Sequence, residues 1–159
     1  MIAGAGVAID AVVADFVAGA AEWLSPANDP AHWDVIEGQG ALFHPAYAGV
    51  TLGLIHGSQP DALVLCHDPS RRSIDGYPDY PIPNLAVAMS QYLTAARLTN
   101  PDARFVGISL NTWTLDAELR RTVMASLKEA FGMPVADPML HGMDAIAQVL
   151  AEFPPGKLR

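Results

Sequence analysis

An α/β fold, a mostly parallel sheet between two helical layers, is what this sequence predicts, on three observations. Short apolar runs alternate with segments whose apolar residues recur every three or four positions. Residues 61–67 form a continuous apolar run without polar alternation, as in a parallel strand covered on both faces. Residues 33–37 form a third kind of signal, an apolar strand that ends on Glu37 and opens into Gly38-Gln39-Gly40. In α/β sheets ligands gather at the carboxyl ends of strands, and glycines there let a ligand approach the main chain.

Taken in chain order, residues 7–24 read as a helix, with Ile9, Val12, Val13, Phe16, Val17 and Ala20 on one stripe. The stretch 25–30, with two prolines, breaks it before the strand at 33–37. A helix follows over about 46–56 and stops at 57–60; Gly49, Gly53 and Gly57 give it a flat strip for close approach to a neighbouring element. The strand at 61–67 leads into a proline-rich loop over 68–83, long enough to suggest an active-site lid. Leu85, Ala88, Met89, Tyr92, Leu93 and Ala96 mark the next helix, and residues 104–110 the next strand. A helix over about 116–131 places Leu119, Val123, Met124, Leu127 and Phe131 on its buried face, with Gly132 as its cap. A short strand at 133–136 and a helix through Met143, Ile146, Val149 and Leu150 complete the pattern. With neither repeat nor linker, residues 1–159 read as one domain. Right-handed crossovers put the junctions at 37–44, 66–72, 111–114 and 137–141 on one rim.

Bulk properties exclude several classes. The chain is 51% hydrophobic and 16% charged, with a formal net charge of −8 and no concentration of Lys or Arg. Nucleic-acid binding needs a basic face, so none is expected. A lone cysteine, Cys66, forbids an internal disulfide and suits a reducing, cytoplasmic setting. No apolar stretch reaches the roughly 20 residues of a bilayer span, so no membrane partner is expected. Gly38 and Gly40 leave room for a ligand, expected to be a small-molecule substrate, to touch the main chain.

Among individual residues, Glu37 suits a Mg²⁺ anchor or an activator of water; the bland alternative is a strand-end acid satisfied by backbone N–H groups. His44 lies on the rim and suits acid/base work or substrate contact. His67 shares the rim, whereas His56 sits at a helix end, where a cap is the simpler role. Cys66 reads as a buried structural thiol, because it and His67 point to opposite faces of their strand. Arg71 and Arg72 suit a clamp on a carboxylate or phosphate, or else a solvated pair. The glycines at 4 and 6 make a helix entry and fall short of a dinucleotide fingerprint. Clustered zinc ligands with defined spacing do not occur.

The segments 34–40, 106–111 and 133–138 come in the order and spacing of dethiobiotin-synthetase-like P-loop proteins. More closely, the run 37–69, from Glu37-Gly38-Gln39-Gly40 to Cys66-His67-Asp68-Pro69, resembles the C-terminal P-loop domain of the D-glutamate N-acetyltransferase-like family, long a domain of unknown function. The resemblance continues through 96–112 toward the C-terminus. It implies a P-loop NTPase-like sandwich, ATP and Mg²⁺ as cofactors of the longer protein, and acyl transfer or activation at the amino or carboxyl group of a small amino acid. Glu37 then stands at the Mg²⁺-phosphate position, Gly38 and Gly40 beside the nucleotide, and Asn111 at the base.

One departure from the pattern is plain. The phosphate loop G-x-x-x-x-G-K-[ST] does not occur; the only Gly-Lys is Gly156-Lys157. The family places that loop upstream, which implies that this chain is the N-terminally truncated back part of a longer protein, inactive in isolation. A central strand missing beside residues 33–37 would leave an unpaired apolar edge, so a homo-oligomer is expected. The alternative function is a non-catalytic, self-associating domain that binds a ligand or partner chain.

Overall fold

In the computed structural model, which describes residues 6–29 and 31–153, the central strand is the apolar run Arg104–Leu110, β4. Val106, Ile108 and Leu110 are almost wholly buried, as its sequence demands. It pairs in parallel with Ala62–His67, β1, on one side and with Val135–Ala136, β5, on the other. The order β1-β4-β5 with parallel pairing and intervening helices places the chain in the α/β class.

The chain divides into two compact units. One comprises residues 62–85 and 104–153. It holds the parallel sheet, the hairpin Ser73–Ile74 (β2) with Tyr77–Pro81 (β3), and three helices: Ala117–Phe131 (α4), Pro138–His141 (α5) and Asp144–Ala151 (α6). Its core gathers Val106, Ala136 and Ile146, with Val64, Met143 and Leu150 packed around them. Gly107 is needed here, because a Cβ would lie 2.6 Å from Ile146 of α6. Helix α4 is stopped at both ends by local chemistry. The Asp116 carboxylate accepts from the Glu118 and Leu119 N–H groups, and Gly132 turns the chain at φ +63°. Its apolar residues are only half-buried and Leu119 is exposed, so the face expected to be buried is covered in part.

The other unit comprises residues 6–61 and 86–103. Two 3₁₀ turns, Ile9–Ala11 and Ala14–Phe16, precede Val17–Leu24 (α1), which packs on Ala48–Ser58 (α2). The single helix expected over 7–24 is therefore broken into turns and a shorter helix. Gly53 and Gly57 let α1 and α2 touch: a Cβ at Gly53 would lie 2.6 Å from Val17, and one at Gly57 would collide with the Ala18 carbonyl. Most of the helix Leu85–Ala96 (α3) belongs here, with Ala88, Met89 and Ala96 buried on the face its spacing predicted. Asn100, also buried, donates to the Gln59 and Pro60 carbonyls and to the Asp61 carboxylate, tying the end of α3 to the end of α2.

The strand expected at 33–37 is not formed. Residues 32–38 carry no regular secondary structure, and Trp33, Val35 and Ile36 are 52%, 97% and 45% exposed. A strand needs a laddered neighbour for its N–H and C=O groups, and these residues pair with none among those described. Residues 1–5, with the first of the N-terminal glycines, lie outside the described residues.

Candidate functional site

In the first unit by sequence, the loop after Glu37 is held at four points. Thr51 of α2 donates its hydroxyl to the Gly40 carbonyl at 2.6 Å. The Tyr92 hydroxyl accepts from the Leu42 N–H at 2.8 Å, and its ring meets Phe43 edge-on. His44 Nδ1 accepts from the Ala46 and Tyr47 N–H groups at 3.1 and 3.3 Å, so the imidazole holds the turn that leads into α2. The His44 ring lies 4.4 Å from that of Tyr47. Glu37 precedes this held loop and is solvent-exposed. Gly38 has open space where a Cβ would stand, whereas Gly40 is packed against Tyr47. Gly38 therefore has the room for a ligand that both glycines were expected to supply, and Gly40 uses its lack of a side chain to seat Tyr47.

The second unit contains a strand-end cluster. Parallel pairing brings the carboxyl ends of β1 and β4 side by side, and the Asn111 N–H extends the ladder to the His67 carbonyl at 2.9 Å. Asn111 Nδ2 donates to Asp68 Oδ2 at 3.4 Å, and Arg71 Nε lies 3.7 Å from the same oxygen. Arg71 also lines a recess of about 350 Å³, together with Arg72 and residues 73–78 of the hairpin. Among the described residues the Arg72 guanidinium has no ion-pair partner. The loop expected over 68–83 thus contains a hairpin that presents the two arginines. Two strands of two and five residues, one with two prolines, are too short to show a period.

Electrostatics separate the groups of this cluster. The Ser70 hydroxyl holds the Asp68 carboxyl below its ordinary value; burial opposes this, and the Ser70 N–H, Arg71 and His67 add to the lowering. Burial lowers the His67 imidazole against the pull of Asp68, which favours the neutral ring at pH 7. Cys66, expected to be buried, is exposed on the edge strand β1. Behind the cluster lies a buried polar network. Asp137 accepts from the Thr112 N–H and makes a very short bond with the Thr112 hydroxyl. Arg120 Nε donates to that hydroxyl at 2.8 Å.

The rim expected from topology is therefore present within this unit: residues 66–72, 111–114 and 137–141 meet through Asp68–Asn111 and Thr112–Asp137. Glu37, Gly38, Gly40 and His44 belong to one unit and Asn111, Arg71 and Arg72 to the other. Sequence reasoning overlooked Asp68 and Thr112. A signal for Asp68 existed in its place directly after an apolar strand; nothing local marks Thr112. No group of three His, Cys, Asp or Glu side chains could hold a metal ion among the described residues. No helix among them is long and apolar enough to cross a membrane.

A parallel sheet with polar residues gathered at its carboxyl edge defines a protein of the α/β class. The family described as "Domain of unknown function (DUF1611_C) P-loop domain" matches residues 1–147, and the chain belongs to that family. It is 50% identical over 146 residues to a D-glutamate N-acetyltransferase of a Pseudoalteromonas species, covering 92% of this chain and 44% of that protein. A protein of the same name from Tritonibacter scottomollicae is 47% identical over 151 residues, covering 95% and 45%. The crystal structure of a DUF1611 family protein from Anabaena variabilis superposes with a TM-score of 0.81 at 36% identity, covering 96% of this chain and 45% of that one. The chain thus spans somewhat under half the length of the relatives it matches.

Proposed function

We propose that this chain is part of an enzyme that transfers an acyl group to the amino group of a small acidic amino acid, D-glutamate or a close analogue. The observation that carries the substrate class is the Arg71–Arg72 recess: two guanidinium residues on one loop, one of them unpaired, match the carboxylates of such a substrate. Similarity to two D-glutamate N-acetyltransferases over more than nine-tenths of the chain supports the reaction class. In this reading Arg71 and Arg72 hold substrate carboxylates, and His44 acts in acid/base work or contacts the substrate. Within its own unit Asn111 is the candidate contact for a nucleotide base; in the other unit Gly38 and Gly40 are the candidate nucleotide contacts. A Mg²⁺ ion keeps several waters and binds through one or two carboxylates plus phosphate oxygens, so Glu37 suffices as its single protein ligand when ATP accompanies it. Such an ion supplies charge neutralisation at the phosphates.

The test is a graft. Replacing the matching segment of the Pseudoalteromonas relative by residues 1–147 should retain acetyl transfer to D-glutamate, and Arg72→Gln in that chimera should raise KM with little change in kcat. A folded chimera without acetyl transfer, or an unchanged KM, would refute the assignment.

A second reading, a self-associating domain, has its own observation. Phe16, Trp23, Trp33, Val35 and Ile36 are all exposed in one unit, more large apolar surface than one short stretch of a monomer ordinarily presents. A second copy of the chain is the occupant we infer, pairing through the unladdered backbone of residues 32–38. The two readings are compatible.

A further inference from the structure

Asp68 has one oxygen that its surroundings engage only at long range. Oδ1 accepts both the Ser70 N–H at 3.0 Å and the Ser70 hydroxyl at 2.6 Å, which completes the turn after β1. Oδ2 has only two long contacts, Asn111 Nδ2 at 3.4 Å and Arg71 Nε at 3.7 Å. Charge-assisted hydrogen bonds to a carboxylate run to about 2.7–2.9 Å, so neither contact is a good one. An ionised oxygen in that position has capacity for a short bond to a strong donor. Arg71 joins the two halves of the site, because it lines the recess with Arg72 and also lies against Asp68. One carboxylate and two guanidinium groups on a single loop are the complement of a zwitterion with an acidic side chain. A metal ion is a poorer match, since among the described residues Asp68 belongs to no group of three His, Cys, Asp or Glu side chains that could hold one.

We propose that Asp68 binds the ammonium group of the acidic amino acid whose carboxylates rest on Arg71 and Arg72, and so selects an amino-bearing diacid over an amine-free one. The inference rests on the acidic-substrate reading above and adds the residue that recognises the amine. It also gives the site a direction. When an activated acyl donor such as a thioester transfers its acyl group to the amine, the ammonium gives up two protons, one to the departing thiolate and one to solvent. The neutral amide leaves Asp68 without its counter-charge, so the product is held less well than the substrate.

Calorimetric titration of the 159-residue chain at pH 7 with D-glutamate, N-acetyl-D-glutamate and glutarate tests this. The wild type is expected to prefer D-glutamate over the other two. Asp68→Asn keeps an Oδ1 acceptor for the Ser70 turn; it should weaken D-glutamate by about tenfold, the scale of one charge-assisted bond, and leave glutarate unchanged. Arg72→Gln should weaken both. Equal loss of both ligands in Asp68→Asn, or no loss of either, would overturn the inference. So would a wild type that binds glutarate as well as D-glutamate, a result independent of any variant's folding. If glutarate binds and responds to Arg72→Gln while D-glutamate shows no advantage, the role of Asp68 falls and the arginine reading stands. If neither ligand binds the wild type, both fall together.

Discussion

Asp137 is only 2% exposed, and its carboxyl nevertheless lies below the ordinary value. Burial alone would raise it; the hydrogen bonds from the Thr112 side chain and N–H and from the Met139 N–H, with Arg120, outweigh that. A lowered native value means that the folded state takes up the proton less readily than the unfolded chain. The stability this group contributes is therefore present above the unfolded value of about 3.9 and lost as pH falls through the lowered native one. Asp137→Ala strands the Thr112 hydroxyl, the Thr112 N–H and the Met139 N–H, at a cost of about 1–3 kcal/mol or more at pH 7. Urea midpoints measured from pH 7 to pH 3 should show that loss at neutral pH and a shallower acid limb. Asp137 caps the short helix α5, its carboxylate accepting from the Met139 N–H with Pro138 in the first turn. Its bond to Thr112, 25 residues away, is a product of strand pairing and has no local signature.

Elements differ in how much their own residues decide. The three glycines of α2 look alike in sequence at positions 49, 53 and 57, and the packing of α1 separates them. Gly57→Ala meets the Ala18 carbonyl and would sit 2.7 Å from the Ala21 Cβ, so it should destabilise by about 1–3 kcal/mol. Gly49→Ala meets nothing within 4 Å and should be neutral or stabilise by up to about 1 kcal/mol through helix propensity. Thermal unfolding of the two variants side by side distinguishes a packing strip from a mere repeat of small residues. Helices α3 and α4 and strand β4 were legible because their signals are local: a 3.6-residue apolar period, a Gly132 stop and a dense apolar run. The hairpin at 73–81 was not legible, since its pairing rests on a two-residue strand.

At the scale of the molecule, the arrangement predicts association and weak nucleotide binding. Sedimentation velocity is expected to show a dimer or larger species, and Val35→Asp, which charges the most exposed apolar side chain, should shift it toward monomer. A monodisperse wild-type monomer would refute self-association. Without a Gly-Lys-Ser/Thr cradle for the β- and γ-phosphates, and at a net charge of −8, residues 1–159 should bind ATP no tighter than about millimolar and not hydrolyse it. Adding an upstream segment with such a loop, in cis or as a separate chain, should restore binding. Glu37→Gln should then abolish Mg²⁺-dependent turnover while leaving the fold intact. Micromolar ATP affinity in residues 1–159 alone would contradict this account.

Composition and periodicity were enough to establish the α/β class, most helix positions, strands β1 and β4 and the rim on which Asn111 and the arginines lie. Tertiary structure alone decided the rest. Residues 33–37 are apolar and extended-looking, yet form no strand, because a strand is completed by a neighbour's hydrogen bonds and a helix by its own backbone. The same dependence on neighbours hid Asp68: the long contacts of its Oδ2 arise only when parallel pairing sets the end of β1 beside the end of β4 and brings Asn111 within 3.4 Å.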